Sequence, residues 1–135
     1  MPGCVLRVSG KVFDVDRFLK GSKLIPCAVF RKGEPRFSNA RQTRKVNKYS
    51  GFNVDAAFST PLLSKQVRHA VTFLKKYRQE LMKLRRFSGV EDARLDFGIL
   101  QRGTAAQFDY FPPELIRLAG ELSIGIEISR YSVAD

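Results

Sequence analysis

A chain of 135 residues with 44% apolar residues and eleven phenylalanines can bury roughly two-thirds of the surface it exposes when unfolded, which predicts a single packed domain over 1–135 and excludes a disordered chain. Two cysteines and one histidine are too few for a disulfide scaffold or a four-ligand zinc site, so Cys4 and Cys27 are expected to be reduced and structural. The net charge of +11 predicts attraction to something acidic, whether nucleic acid, an anionic lipid surface or a protein.

That charge is polarised along the sequence. Residues 1–50 carry twelve Lys/Arg against three Asp/Glu, residues 61–87 eight against one, and residues 88–135 four against eight. The first residues lack the charged start and continuous apolar stretch of a secretion signal, and no apolar run approaches the length of a membrane span. A cytoplasmic location without membrane contact is therefore expected.

Cys4, Leu6 and Val8 alternate with Val5, Arg7 and Ser9, the two-residue period of a strand. Asp14 or Asp16 is placed to cap a short helix through Phe18 and Leu19 that Gly21 ends. Ile25 to Phe30 is a second apolar run, and Pro26, which cannot donate to a ladder, puts it at a sheet edge. Residues 31–50 hold seven Lys/Arg, with Gly33, Pro35, Ser38, Asn39 and Asn47 among them and almost no apolar pattern. They read as a long exposed basic loop, a length that compact domains reserve for functional or disordered segments.

Phe52, Val54, Ala56 and Phe58 alternate with Asn53, Asp55 and Ala57 as a half-buried strand. Thr60 and Pro61 mark the start of a long helix that runs to Phe87 and is stopped by Ser88 and Gly89. On it Leu63, Val67, Ala70, Leu74, Tyr77, Leu81 and Leu84 recur every three or four residues as a core stripe, with Lys65, Arg68, Lys75, Lys76, Lys83 and Arg86 as a cationic stripe opposite. Ala93, Leu95, Phe97 and Ile99 alternate with Arg94, Asp96 and Gly98 as another strand. Pro112 and Pro113 open a second helix that turns Leu115, Leu118, Ala119 and Leu122 inward, and a closing strand does the same with Ile124, Ile126 and Ile128.

The order βαββαβαβ predicts an α+β fold: an antiparallel or mixed sheet of about five strands with two main helices packed on one face. If that face holds Leu6, Phe52, Phe97 and Ile126, the other shows Arg7, Asn53, Asp55, Arg94, Asp96, Glu127 and Ser129, a polar surface that antiparallel sheets commonly keep solvated.

Catalysis needs a base, a nucleophile or metal ligands placed together. His69 stands alone in mid-helix beside Lys65 and Lys76, and the spacing of Asp92, Asp96 and Asp109 matches no metal loop. Gly10, Gly21, Gly33 and Gly103 form no phosphate-cradling motif. No catalytic residue, metal or cofactor is expected. The segment from Arg31 to Lys48, with Phe30, Phe37 and Tyr49 interleaved, does have the composition of a nucleic-acid contact, where cations displace counterions and aromatic faces stack on bases.

The stretches Gly89-Val90-Glu91-Asp92-Ala93-Arg94-Leu95-Asp96-Phe97-Gly98-Ile99 and Phe111-Pro112-Pro113-Glu114-Leu115-Ile116-Arg117-Leu118-Ala119-Gly120-Glu121-Leu122, with Ile124 to Tyr131, resemble a family of small bacterial proteins catalogued as a domain of unknown function. The similarity extends more loosely to Cys4–Gly10 and Phe30–Pro35, and it carries no catalytic motif. It implies a single cytosolic α+β domain, and small bacterial proteins of this size often act as immunity partners that neutralise a toxin by binding it. The chain departs from the family's pattern in its basic loop and long helix, where acidic residues are expected.

These readings converge on a binding protein of immunity or antitoxin type that occludes an acidic protein partner, with nucleic-acid binding as the alternative. The contact residues expected are Arg31, Lys32, Arg36, Arg41, Arg44, Lys45 and Lys48 of the loop and Lys65, Arg68, Lys75, Lys76 and Lys83 of the helix. Arg94 and Asp96 on the open sheet face are secondary candidates.

Overall fold

The computed structural model describes residues 2–38, 41–58 and 60–132. Their order is β1 (Cys4–Gly10), α1 (Val15–Lys20), β2 (Ala28–Phe30), β3 (Pro35–Ser38), β4 (Arg41–Val46), β5 (Ser50–Ala57), α2 (Leu63–Lys76), α3 (Arg78–Arg86), β6 (Asp92–Gln101), α4 (Pro113–Glu121) and β7 (Gly125–Ser132). Five strands form a mixed sheet in the order β2-β5-β1-β6-β7, and β3 pairs with β4 in a separate two-stranded ribbon. The fold is α+β, as the alternation of apolar residues predicts.

β1 is the middle strand, antiparallel to β5 on one side and to β6 on the other. Its register sets Leu6 between Val54 and Leu95, and Arg7 between Asn53 and Arg94. Opposed residues point to the same side of a sheet, so Cys4, Leu6, Val8, Phe52, Val54, Leu95 and Phe97 share one face, all buried. β7 runs parallel to β6, which requires a crossover, and α4 supplies it. On the core face α2 lies over β5 and β6, while α4 packs on α2 and β7.

Four aromatic rings fix α1. Phe18 stacks on Phe52 at 5.7 Å between centroids and meets Phe87 edge-on at 5.2 Å, while Phe13 meets Phe87 edge-on at 5.8 Å. Asp14 caps this helix by accepting from the Arg17 backbone N–H at 3.1 Å, and Gly21 ends it. Gln66 is wholly buried on α2, where its Nε2 donates to the carbonyls of Thr60 at 2.7 Å and Gly98 at 2.8 Å. That amide ties the start of α2 to β6.

Several boundaries differ from the sequence expectation. The long helix is two helices meeting at Tyr77, whose φ of −102° and ψ of 20° leave the helical region. The apolar stripe continues through this bend, which is why periodicity does not mark it: Val67, Ala70, Leu74, Leu81 and Leu84 are all buried. The first helix starts at Leu63 rather than at Pro61, and Thr60 instead donates its backbone N–H to the Pro2 carbonyl at 2.9 Å. β2 begins only at Ala28, at the edge that Pro26 requires, and Phe58 lies beyond β5 and is exposed. Ile128 on the outermost strand, expected to face inward, is 41% exposed.

The largest difference concerns residues 31–50. The expected loop contains β3 and β4, paired antiparallel with Pro35 opposite Val46 and Phe37 opposite Gln42; positions 39 and 40 lie outside the described residues. Among the described side chains of these strands none is buried, in keeping with the missing alternation of apolar residues. The ribbon is anchored at its base: Gly33 N donates to the Asn47 carbonyl at 2.9 Å, Asn47 Nδ2 to the Arg31 carbonyl at 3.1 Å and Lys32 N to Ser50 Oγ at 2.9 Å. Gly33 has a φ of +86°, a left-handed turn that favours glycine.

Gly10 ends β1 against the 88–91 turn, where an added Cβ would collide with the carbonyl of Gly89, whereas Gly21 faces open space. Gly10→Ala should therefore destabilise the protein by about 2–3 kcal/mol, and Gly21→Ala should change stability by no more than about 0.5 kcal/mol. Urea unfolding of the two variants measures the contrast, and equal effects would contradict this packing.

Candidate protein-binding groove

A cavity of about 530 Å³ lies between the ribbon and the edge strand β2. Ala28, Val29 and Phe30 line it on the sheet side, Glu34, Pro35, Arg36 and Phe37 on the β3 side, and Asn47, Lys48 and Tyr49 at the approach to β5. Its walls include apolar side chains in contact with solvent, Phe37 being 64%, Tyr49 42% and Val29 36% exposed. Large apolar side chains gathered around a concavity are the usual composition of a binding site.

The groove's orientation is built up from the core. The phenylalanine cluster places α1, α1 presents Asp16, and Asp16 receives two hydrogen bonds from Arg31, from Nε at 2.9 Å and Nη2 at 2.7 Å. Arg31 also lies 4.0 Å from Glu34. The Arg31 hydrogen bonds hold the Asp16 carboxyl below the usual carboxylate range. Both side chains are exposed, so the pair contributes geometry more than energy.

Arg31 is thus engaged inside the protein. Arg36 and Lys48 line the groove, and Lys32, Arg41, Arg44 and Lys45 are exposed on or beside the ribbon. Among the described residues, none of these six has an acidic side chain within ion-pair distance. The rim therefore sets Arg36 and Lys48, without ion pairs among the described residues, beside the single carboxylate of Glu34 around an apolar floor.

The helical cations are differently disposed. Lys75 Nζ meets Glu114 of α4 at 2.6 Å, and its hydrogen bond keeps that carboxyl below the usual glutamate range. Arg78 meets Glu121 at 3.3 Å, and Arg85 Nη1 donates to the Glu121 carbonyl at 2.8 Å. Lys83 lies 3.9 Å from the buried Glu80, and Lys76 sits 5.3 Å from the Tyr77 ring. Lys65 and Arg68 are exposed, as is His69. Lys75 of the stripe fastens α2 to α4, and Arg78 and Arg85 beside it fasten α3 to the end of α4, over the core face rather than at the β2 edge.

The open sheet face carries the polar side chains that the alternation assigns to it, and Arg7, Arg94, Asp96, Glu127 and Ser129 among them are joined by hydrogen bonds. Arg7 Nε pairs with Asp96 Oδ2 at 3.0 Å, Ser129 Oγ donates to Asp96 Oδ1 at 2.6 Å, and Arg94 reaches both Asp92 and Glu127 at 2.7 Å. The two carboxylates hold the Arg94 guanidinium still further above its ordinary range, Asp92 first. Asp96 is only 5% exposed although it lies on this face. Among the described residues no three His, Cys, Asp or Glu side chains are grouped to hold a metal ion, and Asp109 sits apart, against Gln107.

Sequence reasoning missed the apolar half of the groove. The alternation marks Val29 only as strand and the composition marks Phe37 and Tyr49 only as stacking platforms among cations; the fold brings the three to one cavity.

Asp96 is the buried member of the sheet-face network, so Asp96→Ala strands the Arg7 guanidinium and the Ser129 hydroxyl and should cost about 1–3 kcal/mol. Glu127→Ala, at an exposed pair, should cost less than about 1 kcal/mol. Thermal unfolding of both variants tests this order, which a larger effect at Glu127 would reverse.

Among the described residues no helix is long and apolar enough to cross a membrane. A family model described as a domain of unknown function, DUF4279, matches residues 2–133. The chain matches no curated protein and no solved structure. With nearly its whole length covered, the chain belongs to the DUF4279 family.

Proposed function

We propose that this protein is a binding module that occludes an acidic segment of a partner protein, using the groove between β2 and the β3–β4 ribbon. The observation that carries the reading is the contrast between its two polar surfaces. On the open sheet face Arg7 and Arg94 are both held by carboxylates, whereas the groove combines an apolar floor with Arg36 and Lys48, which have no ion pair among the described residues and outnumber the one carboxylate there, Glu34. A protein interface has this composition, an apolar centre inside a polar rim. Nucleic acid would draw chiefly on the cations and on stacking, and leaves the apolar concavity without a role. Neutralisation of a toxin is the form of occlusion suggested by analogy with small bacterial immunity proteins.

The test is retention from a lysate of the source organism on the immobilised protein, with and without nuclease and at two salt concentrations. Three columns carry the wild type, Phe37→Ser and Arg36→Glu; both positions are exposed, so the folds should match by circular dichroism. The expected result is one acidic protein held by the wild type after nuclease treatment, with moderate salt sensitivity, and lost from both variants. Material that disappears with nuclease, or a partner indifferent to both substitutions, overturns the reading.

A further inference from the structure

We infer that the groove takes its partner as an extended strand, an acidic segment that adds to the free edge of β2 as a sixth strand of the main sheet. The inference rests on the function proposed above and specifies how that site is filled. β2 ends the sheet order, with β5 on one side and no strand on the other among the described residues. Consecutive strand residues point to opposite faces of a sheet. A space lined by all three of Ala28, Val29 and Phe30 must therefore lie off the strand's edge and not on one of its faces. The unpaired N–H and C=O groups of that edge open into the cavity, and an added strand satisfies them by main-chain hydrogen bonds.

The dimensions and charge set the occupant. Three strand residues span roughly 10 Å, enough to pair with a segment of three or four residues. Alternate side chains of that segment then fall towards the floor of Val29, Phe37 and Tyr49, and those between fall towards Arg36 and Lys48. An alternation of β-branched or aromatic residues with Asp or Glu matches both. The opposite edge offers no such slot. β7 is eight residues long and carries both Glu127 and Arg130, and the cavity that Glu127 lines is about 280 Å³ and opens on the polar sheet face with Arg7, Asp92 and Arg94.

The experiment is selection of a displayed library of random seven-residue peptides on the intact protein, followed by fluorescence anisotropy with the best synthetic peptide. Two N-methylated versions of that peptide, blocked at alternate amides in opposite phase, probe the main chain. Enriched sequences should alternate acidic with β-branched or aromatic residues. One phase of N-methylation should weaken binding at least about tenfold and the other much less, because only alternate N–H groups of an added strand face β2. Lys48→Glu, a surface change, should also weaken it about tenfold.

Enrichment without alternation, or equal tolerance of both N-methylated peptides, overturns strand addition. If the acidic protein is nevertheless retained by the wild-type column and lost from the Phe37→Ser column, the groove reading survives and only the mode of filling falls. If that protein is also indifferent to Phe37 and Arg36, both fall.

Discussion

The register of β1 is the constraint on which the rest of the structure depends. Held between β5 and β6, it sets Leu6 and Val8 against Val54, Phe52, Leu95 and Ala93, and Arg7 against Asn53 and Arg94. A slip of one residue in either pairing would carry a guanidinium into the core and expose the most buried leucine and phenylalanine of the sheet. Because Leu6, Phe52, Leu95 and Phe97 are all fully buried, the apolar term that opposes the slip is several side chains' worth, each about 1.5–3 kcal/mol. The sheet-face ion pairs follow from the register. Arg7 meets Asp96 and Arg94 meets Glu127 because the pairing sets them near one another, and they reinforce a geometry fixed elsewhere.

From that frame the groove is reached by a short chain of causes. Phe52 on β5 stacks on Phe18, α1 is placed, Asp16 is presented, and Arg31 is caught at the base of the ribbon. A basic residue expected to contact a partner instead orients the residues that line the site. Lys75, another expected contact residue, is likewise held within the fold, by Glu114 of α4. The net charge of +11 therefore overstates the cationic surface on offer, and the ribbon holds a larger share of it than composition indicates.

The main sheet was legible in the sequence because each strand has one buried face: Cys4-Leu6-Val8, Phe52-Val54 and Leu95-Phe97 all alternate, and the polar face followed from their complements. The core stripe from Leu63 to Leu84 was legible for the same reason at helical period. The ribbon was not, since Arg36, Thr43 and Lys45 give a strand no apolar face to register, and its pairing rests on backbone groups and tethers such as Asn47. The bend at Tyr77 escaped because the apolar stripe runs through it. The groove combines residues from before β3, within it and after β4, and no spacing rule connects Val29 with Phe37 and Tyr49. The ion pairs between α2 or α3 and α4 join residues about forty positions apart, so the cationic stripe read as free.

The proposed site lies at the edge of the sheet, where β2 meets exposed apolar side chains and the cations Arg36 and Lys48. The most direct measurement is amide hydrogen exchange of the intact protein with and without its captured acidic partner. The account predicts slowed exchange at Ala28, Val29 or Phe30 and in β3 and β4, with β7 and the Arg94–Glu127 face unchanged. Protection confined to β7 or to the open sheet face would contradict it.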